Sequence, residues 1–63
     1  MSGIRTVRLA AGMTQAAAGQ LIGVNQSHFG KIERGTVRLW ADDALALARA
    51  FGVDVADLVQ VTD

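Results

Sequence analysis

Between Asn25 and Gly35 the chain reads NQSHFGKIERG. Two carboxamides, a hydroxyl, an imidazole and two cations follow one another, interrupted by Phe29, Gly30, Ile32 and a single acid, Glu33. These groups donate and accept hydrogen bonds but include no nucleophile paired with a base. A glutamine amide can bond N6 and N7 of adenine together, and a lysine can reach O6 and N7 of guanine. Cations can hold phosphates. Such chemistry needs a scaffold that turns Phe29 and Ile32 inward and presents Gln26, Ser27, His28, Gly30 and Lys31 outward, which helical periodicity does.

Composition narrows the field. A chain of 63 residues makes one domain, residues 1–63. Its length lies near the lower limit for folding alone. There is no cysteine and one histidine, so disulfides, thiolate metal sites and a zinc site are excluded as staples. No metal or cofactor is expected. An enzyme is a poor reading: no histidine–carboxylate pair, no phosphate-cradling glycine loop, and too little chain to form a pocket. No apolar run of about 18 residues is present, so no membrane span is expected, and the N-terminal stretch does not read as a signal peptide. A cytoplasmic protein, nucleoid-associated when bound to DNA, fits these features.

Net charge is zero, but its distribution is uneven. Residues 1–38 hold five cations (Arg5, Arg8, Lys31, Arg34 and Arg38) against Glu33, a net +4. Residues 39–63 hold Arg49 against five acids (Asp42, Asp43, Asp54, Asp57 and Asp63), a net −4. Sign asymmetry between halves is more informative than the total.

The elements that must position these residues are helices. Proline is absent and helix formers abound. Ile4 to Ala11 predicts a first helix, with Ile4, Val7, Arg8 and Ala11 on one face, ended by Gly12. Thr14 is an N-cap candidate for a second helix over Gln15 to Ile22, stopped by Gly23. Asn25 caps a third over Gln26 to Arg34, halted by Gly35. A fourth runs over Ala41 to Phe51, with Ala41, Ala44, Leu45, Leu47, Ala48 and Phe51 as its apolar face. Asp54 then caps a short fifth over Val55 to Val59. Only Gly23, Val24 and Asn25 separate the second and third helices, which makes them a helix-turn-helix unit. Gly19, costly inside a helix by about 1 kcal/mol relative to alanine, would let those two backbones come close.

Residues 4–58 resemble the phage-repressor and Cro-like helix-turn-helix family, the lambda-repressor-like domains of the XRE type. The matching residues are Arg8, Gly12-Met13-Thr14-Gln15, Ile22-Gly23-Val24-Asn25-Gln26-Ser27, Phe29, Ile32-Glu33-Arg34-Gly35, Leu47-Ala48, Phe51-Gly52-Val53 and Leu58. The resemblance implies a compact all-α, five-helix domain whose third helix enters the major groove of double-stranded DNA, usually from each half of a homodimer. It implies a transcriptional regulator, with a small repressor favoured.

On that resemblance Gln26 is the leading base reader, followed by Ser27 and Lys31. Gln15 matches a position that binds the DNA backbone, and the helix start after Thr14 adds partial positive charge beside it. Asn25, His28, Arg34 and Arg38 are further backbone candidates. Arg8 and Glu33 fall at positions that pair inside the domain. Arg8 lies on an apolar face, where an unpaired cation would be costly. Several residues depart from the family pattern. Ala18 and Ala41 are smaller than usual, Phe29 and Phe51 larger. Leu9 and Leu21 fall at positions expected to be exposed. Leu39 and Trp40 replace a Pro-Ser-like pair, and an apolar patch there suggests a dimer contact; the alternative is that Trp40 folds back as a lid on the core. If DNA binding has been lost, the same fold would serve as a protein-interaction module with a protein partner.

Overall fold

A computed structural model of the chain describes residues 3–58. Four α-helices follow in order: α1 (Gly3–Ala10), α2 (Gln15–Leu21), α3 (Gln26–Arg34) and α4 (Ala41–Phe51), then a 3₁₀ turn (Val55–Asp57). No strand occurs among the described residues. The helix starts are built by side chains that satisfy otherwise orphaned backbone donors. Thr14 Oγ1 accepts from the Ala17 N–H at 3.0 Å, and Asn25 Oδ1 accepts from the His28 N–H at 2.8 Å.

The turn between α2 and α3 depends on two glycines. Gly23 has φ +73°, a left-handed conformation that costs glycine nothing. The Val24 N–H then folds back to the Gly19 carbonyl at 2.9 Å. Gly19 is buried where α2 meets this turn. A Cβ there would lie 2.7 Å from the Val24 carbonyl oxygen and 3.3 Å from that of Asn25. Those contacts are backbone and cannot swing aside, so only glycine allows the approach.

Ile4, Ala18, Phe29, Ile32, Leu39, Ala44, Leu47, Ala48 and Leu58 form the core. Val7, Ile22, Val24, Val37, Phe51 and Val53 pack around it. Several expectations change. Ala11 is exposed and lies past the end of α1, and Ile22 is the C-cap of α2 rather than its last residue. On α4 the buried residues are Ala44, Leu47 and Ala48, whereas Ala41 and Leu45 are exposed.

The expected fifth helix is a single 3₁₀ turn, closed by the Asp57 N–H to Asp54 and the Leu58 N–H to Val55, both 2.9 Å. Asp54 makes no side-chain cap bond, and Leu58 leaves helical geometry as it enters the core. The β-branched Val53 and Val55 favour a helix weakly. Val59, the last residue of the expected helix, lies outside the described residues.

One polar group ties three segments through the interior. Arg8 Nε donates to Glu33 Oε2 at 2.5 Å, with side chains 8% and 3% exposed. Arg8 Nη2 reaches Glu33 Oε1 at 3.4 Å, and Arg8 Nη1 donates to the Met13 carbonyl at 2.8 Å. Helix α1, the α1–α2 turn and α3 are thereby fixed together.

Arg8→Ala is expected to cost about 3–5 kcal/mol in urea unfolding, because it strands a buried carboxylate; a loss under about 1 kcal/mol would contradict burial of the pair. Gly19→Ala gains about 1 kcal/mol of helix propensity, but overpacking against backbone costs about 1–3 kcal/mol. The net expectation is a lower Tm, and a raised Tm would contradict the close α2–α3 approach.

Candidate nucleic-acid interface

Helix α3 is divided lengthwise. Phe29, Ile32 and Glu33 face the core, while Gln26, Ser27, His28, Lys31 and Arg34 are exposed. On the exposed side lies an open groove of about 470 Å³, lined by Gln15, Asn25, Gln26, Ser27, Gly30 and Arg34. Five residues singled out in the sequence as DNA contacts therefore converge on one surface: Gln26 and Ser27 on the first turn of α3, Asn25 at its cap, Arg34 at its end, and Gln15 from α2. The lining contains amides, a hydroxyl and a guanidinium, with no carboxylate. Lys31, His28, Thr14 and Arg38 are exposed but lie off the groove walls.

Hydrogen bonds inside the protein define what each group has left to offer. The Oδ1 of Asn25 is taken by the helix cap, and the Nδ2 donors of this exposed residue take no part in that bond. Thr14 Oγ1 is likewise occupied as an acceptor and keeps its O–H as a donor. Gln15 Nε2 donates to Glu33 Oε1 at 2.8 Å. Its amide thus has one hand on the buried ion pair and the other over the groove. No buried side-chain nitrogen or oxygen among the described residues lacks a partner.

Gly30 was expected to face outward as an open spot on α3; it is buried instead. A Cβ at Gly30 would meet Arg34 Nη1 at 3.4 Å and the Gln15 amide at 3.7 and 3.9 Å. These two long side chains cover the position. The structural part played by Gln15 could have been found by counting donors: a buried carboxylate has more acceptor sites than one arginine fills.

Leu39 belongs to the core at 2% exposure, so its side chain cannot form a dimer contact. Trp40 is not a lid on the core: it is 61% exposed, with the Arg38 guanidinium carbon 4.8 Å from its ring centroid. Leu9 and Leu21 are exposed, as the pattern suggested. Among the described residues no helix is long and apolar enough to cross a membrane.

The chain belongs to the helix-turn-helix domain family, whose model matches residues 4–60. The match is consistent with the XRE and lambda-repressor-like branch. Such domains are DNA-binding units. No curated protein and no solved structure matches the chain.

Because Gln15 donates to a buried charge, Gln15→Ala is expected to lower stability by about 1.5 kcal/mol with no DNA present. A residue that served DNA alone would leave the urea midpoint unchanged.

Proposed function

We propose that this protein is a sequence-specific double-stranded DNA-binding regulator, a small repressor that reads the major groove with α3. The observation that carries this reading is the groove itself: hydrogen-bonding groups and Arg34 gathered beside the first turn of α3, with no acid among them. Gln26 is the principal base reader, with Ser27 and Lys31 beside it. Gln15, Thr14, Asn25, His28, Arg34 and Arg38 grip the sugar-phosphate backbone. The acids of α4, Asp42 and Asp43, stand in its first turn, and Asp57 lies in the 3₁₀ turn. Residues 1–38 carry the net positive charge, and every residue that lines the groove lies among them.

Size supports action in pairs. The described residues extend 25 Å along their longest axis, whereas successive major grooves on one side of a duplex lie about 34–36 Å apart. One copy covers one half-site. A homodimer on a two-fold symmetric operator would place two α3 helices one turn apart. Nothing in the reading calls for a cofactor or for catalysis, and its place of action is the nucleoid.

Fluorescence anisotropy against a library-selected duplex, with random duplex as competitor, tests this directly. The selected site should bind at least about 1000-fold tighter than random sequence, with affinity falling steeply as salt rises. Gln26→Ala should remove about 1–3 kcal/mol of that discrimination, whereas Lys31→Ala and Arg34→Ala should weaken all sequences more evenly. If no duplex binds near physiological salt, the helix-turn-helix is a protein-binding scaffold instead.

A further inference from the structure

The segment joining α3 to α4, residues 35–40, contains a pair that neither the core nor the groove uses. Trp40 occupies the N-cap position of α4 and makes no side-chain cap bond. Serine, threonine, aspartate or asparagine would serve that position better. Its neighbour Leu39 fills the core, while Trp40 leaves most of a large ring in water. The residue is thus costly both as a cap and as a surface group, and the fold supplies no reason for it.

What the ring does contact is Arg38, whose guanidinium carbon lies 4.8 Å from the indole centroid. That is within cation–π range. Carboxylates stand close by in sequence, Asp42 and Asp43 in the first turn of α4. Yet no salt bridge joins Arg38 to an acid among the described residues. The difference is chemical. A carboxylate would fix the guanidinium and neutralise it. An aromatic face fixes it and leaves both its charge and its in-plane N–H donors open to an outside anion. Arginine loses considerable rotamer freedom when it grips a ligand. A ring that already restricts the side chain lowers that cost at the moment of binding.

Arg38 follows Arg34 by four positions, just past the end of α3. Lys31, Arg34 and Arg38 all lack a carboxylate partner among the described residues. We propose that Trp40 is a positioning residue that holds Arg38 ready for a phosphate of duplex DNA, flanking the base pairs that α3 reads. This inference rests on the DNA-binding reading above and adds to it an arginine–tryptophan clamp outside the helix-turn-helix.

The test uses the full chain and a random-sequence 20-bp duplex, titrated over a series of salt concentrations. Arg38→Ala removes one phosphate contact, so the slope of log affinity against log salt should become shallower by about 0.9. Trp40→Ala keeps the charge, so its slope should stay at the wild-type value. Its affinity at fixed salt should fall about two- to tenfold, the cost of immobilising one rotamer-rich side chain that the ring no longer restrains. Trp40→Phe should recover most of that loss, and the Arg38→Ala/Trp40→Ala double variant should bind no more weakly than Arg38→Ala. A helix-stability role for Trp40 would not give this pattern. Should Trp40→Ala fail to fold by circular dichroism, Trp40→Leu keeps the apolar bulk without the ring and replaces it.

Wild-type affinity in the ringless variant overturns the inference, as does additive loss in the double variant. A drop in sedimenting mass on Trp40→Ala would make Trp40 a subunit contact and overturn it too. Failure of the wild-type protein to bind any duplex, random or selected, overturns the clamp together with the DNA-binding reading. Variants that depart from this pattern while the wild-type protein binds overturn only the clamp.

Discussion

Glu33 brings a carboxylate into the interior of a 63-residue chain, and each of its oxygens needs a donor. Arg8 of α1 and Gln15 of α2 supply them. An ionised carboxylate buried without partners would be intolerable, so the three helices cannot shift relative to one another without losing far more than a contact. The carboxylate fixes their register, and with it the orientation of α3.

That constraint reaches the surface through Gln15. Its amide bonds Glu33 from one side and overlies Gly30 on the other, where it lines the groove with Gln26 and Arg34. The interior ion pair and the outer hydrogen-bonding face are two sides of one helix, joined by one carboxamide. A residue held in this way presents its remaining donor in a fixed place, the condition for precise recognition at a surface. The Gly19–Val24 approach acts in the same direction by setting how closely α2 lies on the turn into α3.

Much of this was legible in the sequence, and the reasons are local. Glycines and capping side chains mark where helices stop and start, so Thr14, Gly23, Asn25 and Gly35 delimited α2 and α3 within a residue. Gly19 announced a close approach because glycine is costly inside a helix and the spacing turns this position toward α3. What could not be read depends on long side chains folding over the surface. Gly30 counts as outward by periodicity, yet Gln15 and Arg34 bury it. Leu39 and Trp40 look alike as an apolar pair, but successive side chains of extended backbone point to opposite sides, one into the core and the other into water. The expected fifth helix is a 3₁₀ turn over Val55–Asp57, after which Leu58 leaves helical geometry and enters the core.

On the proposed function a single face, built around α3 and oriented by the buried pair, meets DNA. Titrating ¹⁵N-labelled protein with a short duplex and following the amide resonances tests it most directly. Shifts should concentrate at Gln15, at Asn25 to Ser27, and from Lys31 to Arg38, and leave Leu45 to Asp57 nearly still. Shifts confined to α4 and the 3₁₀ turn, or none at all near physiological salt, would contradict it.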